Sequence, residues 1–79
     1  MATIKIRLHE LLEEKMKRDG RDPARDPITQ EEIANALSIS RPTVSTYMKN
    51  RLDRLDKEIL VKFCEYFDCE IGDLLVLER

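Results

Sequence analysis

Two helix-start signals, Thr29 and Ser40, lie eleven residues apart and constrain this chain more than any other feature. Thr29-Gln30-Glu31-Glu32 has the form of a capping box, in which the Thr29 hydroxyl accepts from the third helical amide and Glu32 reaches back to the cap. Ser40-Arg41-Pro42 is a second start. Ser40 offers a cap, and Pro42 falls in the first turn, where the amide it lacks would be unpaired anyway. Between the two starts fit one short helix with Ile33, Ala34 and Leu37 on its apolar face, and a break at Ser38-Ile39. The second helix turns Val44, Tyr47 and Met48 inward and closes near Asn50. The chain must therefore form two short helices joined by a tight turn, each burying a narrow apolar face.

The flanking sequence supplies the rest of a small helical core. Thr3 to Leu8 alternates, with Ile4, Ile6 and Leu8 on one side, which predicts a short strand running into a helix. From Leu8 the period is helical: Leu8, Leu11, Leu12, Lys15 and Met16 share a stripe, with acids early and bases late as the helix dipole favours. Asp19 and Gly20 end that helix. The stretch 20–28, with a glycine and two prolines, reads as a loop. Asp56 caps a fourth helix whose buried stripe is Leu55, Ile59, Leu60, Phe63, Cys64 and Phe67. A helical turn at Ile71 to Leu74 follows, and Leu75-Val76-Leu77 can pair with Ile4–Ile6 as a second strand. The expected fold is an all-α, five-helix bundle with a short N- and C-terminal strand pair, one domain over residues 1–79 with its central motif at 30–50.

Net charge is -2 over 79 residues, so a blanket polycation is ruled out. The charges are nevertheless sorted along the chain. Residues 15–25 hold five bases (Lys15, Lys17, Arg18, Arg21 and Arg25) against two acids, and 41–57 hold Arg41, Lys49, Arg51, Arg54 and Lys57 against Asp53 and Asp56. Residues 58–79 hold six acids against Lys62 and Arg79. Sorted charge makes a signed face on a neutral protein. The longest apolar run, Leu74 to Leu77, is far too short to span a bilayer, and no secretion signal leads the chain, so a cytoplasmic protein is expected.

Residues 30–50 (QEEIANALSISRPTVSTYMKN) resemble the helix-turn-helix of the Cro/repressor type, the lambda-repressor-like DNA-binding domains of bacteria and phages. Lys5-Ile6-Arg7-Leu8 with Leu11 is similar to that family's entry to its first helix, and Leu55 to Leu75 to its last two helices. The resemblance covers nearly the whole chain except the loop 20–28, which is longer than the family's usual connection. It implies a left-handed backbone at Ser38, where the family commonly has glycine. It also implies a DNA-binding transcriptional regulator, a repressor, acting as a homodimer on a two-fold double-stranded operator and reading the major groove with the second helix of the motif.

On that reading Pro42, Thr46 and Lys49 face outward, flanked by Ser40, Arg41, Thr43 and Ser45. Arg41 suits guanine O6 and N7, and Thr46 and Pro42 suit thymine methyls. Lys49, Arg51 and Arg54 suit phosphates, as does Gln30 with the amides at the start of its helix. The loop 20–28 reads as a plain solvent loop, as a basic arm through Arg21 and Arg25 reaching backbone or minor groove, or as a contact with a second subunit. His9, Cys64 and Cys69 lack the spacing of a metal site, and no nucleophile–base pair or phosphate loop is visible. No metal, cofactor, small-molecule substrate, membrane contact or enzymatic activity is expected. The rival is an antitoxin-like or anti-repressor protein-interaction module that docks a partner through its acidic surface.

Overall fold

The computed structural model describes residues 2–49 and 54–78. Two strands and five helices follow in the order β1 (Thr3–Ile6), α1 (Leu8–Arg18), α2 (Gln30–Leu37), α3 (Arg41–Met48), α4 (Lys57–Phe67), α5 (Ile71–Leu74) and β2 (Leu75–Glu78). β1 and β2 form one antiparallel ribbon in which Ile4 faces Leu77 and Ile6 faces Leu75. The Arg7 amide extends this ladder by donating to the Leu74 carbonyl at 2.8 Å, which ties the start of α1 to the end of α5.

The ribbon differs from the expected alternation at its outer end. Ile6 and Leu8 are buried, but Leu8 is already the first residue of α1, and Ile4 is 53% exposed. Its cross-strand partner Leu77 is 56% exposed. The ribbon runs past the edge of the helical core, so only its inner half finds apolar neighbours.

The core forms where α1, α2, α3 and α4 meet. Phe63, Phe67, Leu8, Ile33, Leu74 and Val44 are fully buried, and half-buried Leu55, Ile59, Leu60 and Cys64 close its rim. Phe63 stacks on Phe67 with ring centres 6.3 Å apart and meets Tyr47 at 5.4 Å, a continuous aromatic row from α3 into α4. Asp56 caps α4 as expected, its carboxylate accepting from the Glu58 and Ile59 amides. At the other end Asp68 takes a left-handed conformation (φ 54°) and the Arg18 guanidinium donates to the Phe67 carbonyl at 2.7 Å. Cys64 and Cys69 are free thiols, both half-buried, beside this turn. Burial, and secondarily the neighbouring Cys64, pushes the Cys69 thiol up to about 11. Among the described residues, no helix is long and apolar enough to cross a membrane.

Candidate nucleic-acid interface

The turn between α2 and α3 is built from small residues and caps. Ser38 ends α2 with φ 56° and ψ 43°, the left-handed conformation expected of it. The chain reverses there, and the Ile39 amide returns to the Ala34 carbonyl at 3.0 Å. Ala34 is buried at this crossing, where its single methyl lets α3 approach. Ser40 then starts α3, its hydroxyl oxygen accepting from the Thr43 amide at 3.2 Å.

The inner side of α3 is anchored at two points. Val44 is fully buried and Tyr47 nearly so. The Tyr47 hydroxyl accepts from the Asp56 amide at 3.1 Å, which links α3 directly to the residue that caps α4. Sequence reasoning placed Tyr47 in the core for its ring; the hydroxyl contact was missed, although a core tyrosine needs a partner for that group. With Val44 and Tyr47 fixed, helix geometry sets what the opposite side shows.

That side is polar and open. Arg41, Pro42 and Lys49 are exposed, and Thr43, Ser45 and Thr46 are half-buried. Among the described residues Arg41, Lys49 and Arg54 make no ion pair. The hydroxyls differ from them, being held by the protein itself. Ser40 and Thr43 share a hydrogen bond of 2.6 Å, and Thr46 donates to the Pro42 carbonyl at 2.8 Å. Gln30 and Arg41 line one shallow cleft together with Thr29 and Glu31, which brings the start of α2 beside the start of α3. Arg54 is exposed beyond α3. Arg51, expected to reach phosphate, and Asn50, expected to close α3, lie outside the described residues.

The other basic segment, 15–25, is organised in the opposite way. Gly20 ends α1 with φ 70°, and the Arg21 amide returns to the Met16 carbonyl at 2.8 Å. This turn carries the Arg21 side chain onto α2, where it forms a two-pronged bond to Glu32 at 2.6 and 3.0 Å. The same guanidinium donates to the carboxylate and carbonyl of Asp26 and to the carbonyl of Pro27. Two expectations are corrected here. Arg21 is not a free arm, because its donors are taken by the fold. The capping box at Thr29 is half formed: the Thr29 hydroxyl accepts from the Glu32 amide at 3.1 Å, but the Glu32 carboxylate points to Arg21 instead of back to the cap. The guanidinium beside it holds the Glu32 carboxyl below the usual carboxylate range, against the opposing effect of burial, and Glu32 in turn raises Arg21.

Lys15 is held in a similar way, but Lys17 and Arg25 are not. Lys15 pairs with Asp19 at 3.4 Å and lies over the Tyr66 ring, 4.8 Å from its centre. Arg25 remains exposed with only a 3.9 Å approach to Asp22.

Residues 24–79 match the sequence model of one protein family, described as the Cro/C1-type HTH DNA-binding domain. The match takes in the turn, all of α2 to α5 and β2. No curated protein and no solved structure matches the chain.

Proposed function

We propose that this chain, which belongs to the Cro/C1-type helix-turn-helix DNA-binding family, is a sequence-specific double-stranded DNA-binding transcriptional regulator, a cytoplasmic repressor without enzymatic activity. The observation that carries this reading is the division of α3. Its inner side is locked by Val44 and Tyr47, and its outer side offers Arg41 and Lys49 exposed and free of ion pairs among the described residues. An eight-residue helix fixed on one side and cationic on the other suits a major groove.

On this reading Arg41 bonds guanine O6 and N7 while Pro42 and Thr46 meet thymine methyls. Gln30 binds a phosphate with the amides that begin α2, and Ser40, Thr43 and Ser45 line the approach. Lys49 and Arg54 bind phosphates beyond the end of α3, and Arg51 is assigned the same role from its place in the sequence. The order of five helices supports a lambda-repressor-like arrangement. The chain acts as a homodimer on a two-fold operator with half-sites about 34 Å apart. The exposed apolar pair Ile4 and Leu77 at the tip of the ribbon supports this face as the dimer contact.

Selection from random duplex DNA tests the proposal. A two-fold motif should be enriched, and binding to it should weaken steeply with salt, since the contacts to phosphate are local Lys and Arg side chains on a chain of net charge -2. A flat salt response would exclude phosphate as the main anchor.

One observation favours the rival reading, an antitoxin-like or anti-repressor interaction module. Exposed Val61 and Ile71 border a groove rimmed by the exposed acids Glu65, Asp68 and Glu70. Absence of any enriched sequence in the selection would leave that module as the better account.

A further inference from the structure

We infer that the middle of α3 recognises the 5-methyl group of a pyrimidine and not that base's hydrogen-bonding edge, so that 5-methylcytosine gains there what thymine gains over uracil. This rests on the reading of α3 as the groove helix.

A threonine can meet a base through its hydroxyl or through its methyl, and in this structure the hydroxyl's hydrogen is already committed. A hydroxyl has one hydrogen, and Thr46 gives it to the Pro42 carbonyl of its own helix at 2.8 Å. The oxygen is thereby held against the backbone, and the other branch of the side chain is a methyl group. A β-branched residue in a helix has few alternatives at χ1, so the hydrogen bond and the methyl position reinforce each other.

The neighbours point the same way. Pro42 lies four residues earlier on the same face, exposed, with an apolar ring and no amide hydrogen. The Ser40 and Thr43 hydroxyls share one hydrogen bond of 2.6 Å, so the two together keep a single hydrogen to offer, one turn before Thr46. Within Arg41-Pro42-Thr43-Val44-Ser45-Thr46, the row formed by Pro42 and Thr46 therefore offers a pyrrolidine and a methyl between the cations Arg41 and Lys49, with the Ser45 hydroxyl to one side. In the major groove the C5 methyl is the one apolar group a base pair offers; it marks thymine, and cytosine acquires it only by methylation. A regulator built this way responds to cytosine methylation at that position of its operator.

The test uses the full chain and the operator obtained by selection. Each thymine of a half-site is replaced in turn by uracil, and the same positions are compared as cytosine and 5-methylcytosine opposite guanine. At one position the methyl should raise affinity about fourfold in both pairs, the worth of one buried methyl group. Thr46→Ser, which keeps the hydroxyl and drops the methyl, should bring both ratios to about one at that position. Thr46→Val, which keeps the methyl and drops the hydroxyl, should preserve both. If an operator is bound and no position shows a methyl effect that Thr46→Ser removes, the inference fails and DNA reading stands. It also fails if Thr46→Val removes the effect while Thr46→Ser keeps it. If no duplex is enriched at all, the inference falls together with the reading of α3.

Discussion

The segments 15–25 and 41–57 each carry five basic residues, yet the fold treats Arg21 in the first and Arg41 in the second as opposites. Arg21 has its guanidinium wrapped by Glu32, Asp26 and the Pro27 carbonyl, and Arg18 is turned onto the end of α4. Arg41, by contrast, stands exposed at the start of α3 without an ion pair among the described residues. The difference comes from what each helix puts opposite the cation. α2 carries Glu32 one turn in from its cap, within reach of the loop, whereas the first turn of α3 holds no acid. Positive charge at Arg21 therefore stabilises the fold, and at Arg41 it remains available to an anion. A count of charges along a sequence gives the sum of both and cannot divide them.

Several substitutions sharpen or break this contrast. The largest effect should come from the inner side of α3. Val44→Ala removes two methyls from a fully buried site and should cost about 2 kcal/mol, a fall of roughly 10 °C in melting temperature. Below the new melting point its DNA preferences should match the parent's. Altered base preference in the folded variant would show that the two sides of α3 are not separable.

Next comes the turn that sets α3 against α2. Ser38→Gly relieves a left-handed residue that carries a side chain, and should raise stability by up to about 1 kcal/mol in thermal melts. A loss of stability would mean that Ser38 contributes something its backbone angles do not reveal. The same measurement applies to Asp68→Gly, which has the matching conformation at the end of α4.

The Arg21–Glu32 clasp should show itself in acid. The Arg21 guanidinium holds the Glu32 carboxyl below the ordinary glutamate value, so in the folded state it stays ionised where the unfolded chain would already bind a proton. Its stabilisation is complete above that value and is lost as pH falls through the lowered folded pKa. Glu32→Gln should therefore lower the melting temperature at neutral pH by less than Val44→Ala does, and should leave less acid sensitivity below pH 4.5. An unchanged acid limb would show that the clasp contributes nothing in solution. Arg25→Ala, at the exposed end of the same loop, should change neither stability nor operator affinity measurably. A loss of affinity there would restore the loop as a DNA-binding arm.

The helices were legible because their start and stop signals are local. Thr29, Ser40 and Asp56 cap as read, and Gly20 ends α1, since each acts on amides or carbonyls within four residues. The ribbon was legible in its pairing but not in its burial: Ile4 alternates correctly with Ile6, but alternation says nothing about how far the core extends beneath it. The partner of Glu32 was not legible. Arg21 lies eleven residues away across two prolines, and a three-residue capping rule competes with it on paper. Likewise the Tyr47 hydroxyl meets Asp56 across nine residues of sequence, and no period or spacing points to that contact. At the candidate site, which residues face outward followed from the helical period. What their hydroxyls do did not, because Thr46 can bond either its own backbone or a ligand, and only the folded structure shows that it bonds Pro42.

The central claim is that the open cation of α3 reads bases while the clasped cations of 15–25 do not. Affinity for the selected operator and for every single base-pair replacement in one half-site, measured side by side for the parent and Arg41→Ala, tests it most directly. Arg41→Ala should lose about 1–3 kcal/mol on the operator, show no preference at one base-pair position, and keep the remaining preferences and random-DNA binding nearly intact. If Arg41→Ala weakens all sequences equally, or leaves the profile of preferences unchanged, α3 is not the element in the groove and the account is wrong.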